Sequence, residues 1–106
     1  MARCILVPAV CRVEDSLTTG HACTGVTTIA SSNTNNTVRA NGIPIIVVGA
    51  PTVSHPAPPA PPCPPHVRFL NEGSTTVRIN GISVGRVGDN ADAGEMISGS
   101  SNIFIG

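Results

Sequence analysis

Thr37-Val38-Arg39-Ala40-Asn41-Gly42-Ile43 returns 39 positions later as Thr76-Val77-Arg78-Ile79-Asn80-Gly81-Ile82, and over residues 37–49 and 76–88 eight of thirteen positions are identical. A third, truncated copy closes the chain, where Gly99-Ser100-Ser101-Asn102-Ile103-Phe104-Ile105-Gly106 echoes Gly73-Ser74-Thr75-Thr76-Val77-Arg78-Ile79-Asn80. One copy offers only a narrow apolar face that it cannot bury alone, so the copies must pack on one another. Asn-Gly between apolar runs is a strong hairpin signal, because a type I′ turn needs two residues that tolerate positive φ. Each copy reads as strand, tight turn, strand, over roughly 36–48, 74–87 and 100–105. Alternation turns Val38 and Ala40, Val77 and Ile79, and Ile103 and Ile105 toward a shared interior, with Arg39, Arg78 and Phe104 outward. The third copy stops where its turn would begin. Pro8-Ala9-Val10-Cys11-Arg12-Val13 is expected to supply its return arm, since Arg12-Val13-Glu14-Asp15 resembles Arg86-Val87-Gly88-Asp89 and so closes the repeat in a circle.

Composition agrees with a small all-β domain with little helix, spanning 1–106. Phe69 and Phe104 are the only aromatic residues besides histidine, Val and Ile dominate the aliphatic positions, and eleven Gly with ten Pro interrupt any helix. Six Arg, no Lys and six acidic residues are scattered, which offers no basic face for nucleic acid. The opening apolar run, Ile5-Leu6-Val7, is too short for a secretory signal or a membrane span, so the chain is expected to be made in the cytoplasm. There the four cysteines are expected as free thiols or metal ligands in preference to disulfides, with Cys4 and Cys11 as small buried hydrophobes. Asp15, Asp89 and Asp92 stand near Gly-rich bends and read as turn formers.

So little apolar bulk requires another source of cohesion, a metal or a partner. All three histidines fall in the two connections between copies: His21 in Thr19-Gly20-His21-Ala22-Cys23, and His55 and His66 around a tract holding Pro51, Pro56, Pro58, Pro59, Pro61, Pro62, Pro64 and Pro65. His21, His55, Cys63 and His66 match the closed donor set of a structural zinc site, and cross-linking two loops is what a thin fold gains most from. Straight polyproline would hold His55 and Cys63 about 25 Å apart, so the tract must fold back. Cys23, two residues after His21, is the substitute sulfur ligand. The competing reading is three histidines placed in polar loops without a metal.

Taken together, the degenerate Pro8-to-Asp15 and Ile82-to-Asp89 motifs, Thr19-Gly20-His21, the Asn-Gly turns and the Gly-Ser strands resemble the PAAR-repeat proteins, which sharpen contractile phage tail spikes and type VI secretion spikes. The resemblance covers almost the whole chain, although the middle copy, Pro44-Ile45-Ile46-Val47-Val48-Gly49-Ala50, lacks the Arg and Asp. It implies a small β cone of three repeats with pseudo-threefold symmetry, and one structural zinc at the apex held by His21, His55, Cys63 and His66. It further implies a non-enzymatic monomer that caps a trimeric β-helical spike protein at a virion tail tip, or a secretion spike tip, and touches the target cell outer membrane transiently. Rival readings are a small zinc-dependent hydrolase, which needs an acid beside the metal, and a binding module presenting the proline tract.

Overall fold

Residues 7–31, 38–59 and 62–106 are described by the computed structural model of the chain. Cys4, Thr37, Ala60 and Pro61 lie outside the described residues. No helix occurs among those described, and none is long and apolar enough to cross a membrane. Among the described residues ten short strands form five antiparallel pairs: β1 (Ser16–Thr18) with β2 (Val26–Thr28), β3 (Arg39–Ala40) with β4 (Ile43–Pro44), β5 (His55–Pro56) with β6 (Pro65–His66), β7 (Arg78–Ile79) with β8 (Ile82–Ser83), and β9 (Asn90–Ala91) with β10 (Gly94–Glu95).

A closed cycle of backbone hydrogen bonds joins the copies. Cys11 N–H donates to the Gly85 carbonyl (2.9 Å), Gly85 N–H to Ile46 (2.9 Å), and Ile46 N–H to Cys11 (3.1 Å). Around it, isolated bridges pair Val10 with Arg86, Arg12 with Ile45, and Val47 with Val84, so each segment borders both others. The pattern continues one layer on, where Val13, Val48 and Val87 donate to Pro44, Ser83 and Ala9, and where Glu14, Gly49 and Gly88 donate to Ile29, Leu70 and Met96. Glu14, Gly49 and Gly88 all have positive φ (72°, 96° and 94°). The middle segment therefore takes the same conformation as its neighbours although its sequence has drifted furthest.

Two apolar clusters adjoin the cycle. Val10, Ala40, Ile45, Val47 and Val84 form one, covered by Val77, Ile79, Ile103 and Ile105, so all three copies meet in it. Cys11, Val13, Leu17, Ile29, Ile46, Ala50, Leu70, Ala91 and Met96 form the other. A side chain at Gly85 would displace its neighbours: a Cβ would lie 2.6 Å from Leu70 Cδ2 and 3.0 Å from Ile46 Cγ1. The expected alternation is present in Ala40, which is fully buried, while Arg39 and Arg78 are exposed and donate to the carbonyls of Gly42 and Gly81 in their own turns. Val38 remains 40% exposed. Both Asn-Gly turns have positive φ at each residue, as type I′ demands (Asn41 56°, Gly42 77°, Asn80 53°, Gly81 81°).

The N-terminal return arm is also present. Ala9 bridges Phe104, Val10 N–H donates to the Ile103 carbonyl, and Ile105 N–H donates to Pro8. The Gly-Ser echo has a local cause: Ser74 and Ser100 are buried and their hydroxyls accept N–H bonds from Val77 and Ile103, three residues on.

Two of the three copies carry an ion pair. Asp89 accepts from the Arg86 guanidinium at 2.8 and 3.0 Å and from the Arg86 backbone N–H at 2.7 Å; Asp15 does the same for Arg12, its backbone bond also 2.7 Å. These two carboxylates shape turns, as expected. The middle copy substitutes Val47 and Ala50, both buried. Removing one charge strands the other, whereas replacing both by apolar groups is far milder. Asp89→Ala should therefore cost about 2 kcal/mol in urea unfolding, and adding Arg86→Val should recover at least about half of it. A double variant weaker than the single one would contradict this account.

Candidate metal site

Each copy runs from the first cluster, through the cycle, into the second cluster, and then delivers one polar residue: His21, His55 and Asp92. His66 joins them because β5 and β6 pair His55 directly with His66, and cross-strand partners present their side chains on one face. The pairing of Pro56 with Pro65 brings the two ends of the proline tract together, so the tract is not a straight polyproline segment. Backbone contact brings His21 to Asp92. Ala93 N–H donates to the Thr19 carbonyl and Glu95 N–H to Thr18 Oγ1 (both 3.0 Å), and a Cβ on Gly20 or Gly94 would stand 2.1 Å from the Ala93 or Thr18 carbonyl oxygen. Gly20 also has a φ of +72°, which an L side chain rarely adopts.

The donor atoms converge closely. Asp92 Oδ2 lies 2.9 Å from His21 Nε2, 2.8 Å from His55 Nε2 and 3.3 Å from His66 Nε2. His66 Nε2 is in turn 3.0 Å from that of His21 and 2.7 Å from that of His55. All four donor atoms lie within 4.8 Å of one another, and the group could hold a metal ion. The His55 and Asp92 side chains are 3% and 4% exposed, against 13% for His21 and 18% for His66.

Tautomers show why a cation fits. His21 Nδ1 lies 2.8 Å from the Ala22 carbonyl and His55 Nδ1 lies 2.7 Å from that of Val53, so each ring donates its Nδ1 proton to the backbone. In the neutral imidazoles, both Nε2 lone pairs then face the Asp92 carboxylate, acceptor against acceptor. Only a proton or a metal ion placed among them converts repulsion into attraction. Consistently, the His21 pKa is raised above 6.5, first by the Ala22 carbonyl and then, against partial desolvation, by Asp92. Burial alone would raise the Asp92 pKa, but hydrogen bonds from His21 and His55 outweigh it and leave it lowered. Imidazole nitrogen and carboxylate oxygen suit zinc and neighbouring divalent transition ions.

One expected ligand is corrected. Cys63 is joined to Cys23 in a disulfide, so neither offers a thiolate, and Asp92 takes the fourth place. The physical reason is the folded-back tract, which carries Cys63 to the loop holding Cys23; the expectation of free thiols did not foresee this meeting. Cys11 is free and buried as expected, its Sγ–H donating to the Ser98 carbonyl, with burial and then Asp15 pushing the thiol pKa up. Asp92, expected as a turn former, does occupy a turn, with a φ of 55°, but its carboxylate points into the histidines. Asp92 follows the Ile82-to-Asp89 motif as the histidine-bearing stretches follow Pro8 to Asp15 and Pro44 to Ala50, a match of position that residue type alone does not show.

No family model matches this sequence, and no curated protein matches it significantly.

Protons compete with a metal for these nitrogens. Because His21 titrates above 6.5, a bound ion must displace its proton below that raised value. Zinc affinity should therefore fall as pH drops through the His21 pKa and level off above it, with proton release visible by calorimetry in differently ionising buffers. Asp92→Asn and His21→Ala should each lower zinc affinity by more than the roughly ten- to a hundredfold typical of an outer-shell loss. Gly20→Ala and Gly94→Ala touch no donor atom, yet should reduce zinc stoichiometry by parting the Thr18–Gly20 and Ala93–Gly94 backbones. Full zinc loading in both glycine variants would show that this close approach does not position the site.

Proposed function

We propose that this protein is a non-enzymatic spike tip: a metal-pinned β cone with pseudo-threefold symmetry that caps a trimeric β-helical spike and leads it through a target cell envelope. The observation that carries this reading is the hydrogen-bond cycle of Cys11, Gly85 and Ile46, with its three equivalent surrounding segments. A trimer ends in three identical strand edges, and one chain with three similar arms can cover all of them at once. The arms centred on Val38, Val77 and Ile103 form the base, and the loops that hold His21, His55 and His66 form the point. A zinc ion with four protein donors has no position open for substrate, so its role is structural. A contractile phage tail is the setting we favour over a secretion spike, with the chain bound as a monomer on its trimer.

Size-exclusion chromatography with light scattering on mixtures with trimeric β-helical spikes tests this. One chain per trimer is expected. Val38→Asp and Ile82→Asp, each replacing a residue 40% exposed, should weaken that complex at least about tenfold while leaving the melting temperature within a few degrees. Failure to bind any trimeric β-helix would sink the reading.

The metal-hydrolase alternative gains one observation, an acid at the metal position. If Asp92 acts as general base to a metal-bound water instead of as a ligand, Asp92→Asn would keep zinc and lose ester hydrolysis. Loss of zinc in that variant favours the structural role.

A further inference from the structure

The four donors are not held equally. His55 and Asp92 are almost fully buried, whereas His21 and His66 are the two more exposed; His21 sits on the loop between β1 and β2, and His66 is set beside His55 by the β5–β6 pairing. The disulfide joins the His21 loop to the segment that leads into β6. Cys23 follows His21 by two residues, Cys63 precedes His66 by three, and their sulfurs are bonded across a sequence separation of 40, with Cα atoms 6.2 Å apart. The His21 loop is closed at its base, where Thr19 N–H donates to the Gly25 carbonyl and the Thr19 hydroxyl to that of Thr24. Toward its tip the ties besides the disulfide are fewer: His21 N–H reaches Thr19 Oγ1 at 3.4 Å, and the Thr24 hydroxyl donates to the Pro56 carbonyl at 2.8 Å. Cys23 itself has a φ of 79°, a left-handed conformation that a cysteine freed of its bond would tend to leave.

We propose that the Cys23–Cys63 disulfide is a redox clasp on the metal: the oxidised chain holds His21 in register with His66, which β6 already sets beside His55, and the reduced chain must order the His21 loop before an ion can bind. The inference rests on reading the four-residue cluster as a metal site, and is independent of the spike. Preorganisation raises affinity by removing that ordering cost, and ordering one or two loop side chains corresponds to roughly ten- to a hundredfold in affinity. Linkage makes the effect reciprocal, so a bound ion protects the disulfide by the same factor, or about 30 to 60 mV in its two-electron potential. A chain assembled where thiols are kept reduced would thus lock its metal on reaching an oxidising exterior.

Reduction by a water-soluble phosphine balances simply. The S–S bond breaks, phosphorus is oxidised to the phosphine oxide with the oxygen of one water, and that water's two protons end on the two sulfurs. Zinc affinity of the full chain, measured by competition with a chromophoric chelator, should fall by about ten- to a hundredfold on reduction and recover on reoxidation. The Cys23→Ser/Cys63→Ser variant should match the reduced chain. Equal affinities in the oxidised and reduced chains would overturn the clasp alone. Tighter binding on reduction, with a thiolate-to-cobalt charge-transfer band in the cobalt-loaded protein, would also overturn it, by making Cys63 or Cys23 a ligand. No zinc binding by the oxidised chain would bring down the metal reading together with the clasp.

Discussion

Three peptide groups, at Cys11, Ile46 and Gly85, each donate to one neighbour and accept from the other. Everything else in the fold is arranged by this closed triangle. An ordinary sheet grows outward and leaves edges; here three separate stretches of chain border each other in a ring, so no member of the cycle is an edge. Cys11 and Ile46 are buried in the cluster beside the cycle, and at Gly85 a Cβ would press on Leu70 and Ile46. The closed triangle also explains why the middle copy can lose its Arg and Asp. The ring is made of backbone, and backbone groups do not depend on which side chains surround them, provided the replacements bury well, as Val47 and Ala50 do.

From the ring the chain fans out in both directions. Toward one side the Asn-Gly hairpins and the terminal strand share an apolar cluster; toward the other, a second cluster leads to loops that end in His21, His55 and Asp92. The loops are short of apolar material, and what holds them together is polar: two glycines that let backbones touch, one disulfide, and four donor groups aimed at one point. Such a cluster is unfavourable without a cation, since two imidazoles have committed their Nδ1 protons to carbonyls and turn lone pairs toward a carboxylate. A proton satisfies part of this demand and a divalent ion satisfies it more fully. The same residues thus explain both the raised His21 pKa and the fitness of the site for a metal.

The proline tract illustrates how composition can mislead. Eight prolines between Pro51 and Pro65 suggest a rod, yet the ends of the tract pair with each other through β5 and β6. Folding it back sets His55 opposite His66 and carries Cys63 to Cys23. The sulfur expected at the metal is thereby committed elsewhere, and Asp92, just after the Ile82-to-Asp89 motif, supplies oxygen in its place.

Much of this was legible in the sequence. Composition and repetition pointed to the β class, the two Asn-Gly hairpins, the closure by Pro8 to Val13, and the inward set at Ala40, Val77, Ile79, Ile103 and Ile105, though not at Val38, because each follows from local rules of alternation and turn chemistry. The three histidines were legible too, as the only imidazoles, all confined to the connections. The cycle's middle member, the disulfide and Asp92 were not. Each depends on residues far apart in sequence becoming neighbours in space, and local propensity carries no information about such meetings; only the packed ring determines which loop faces which, and so which atoms meet at the site.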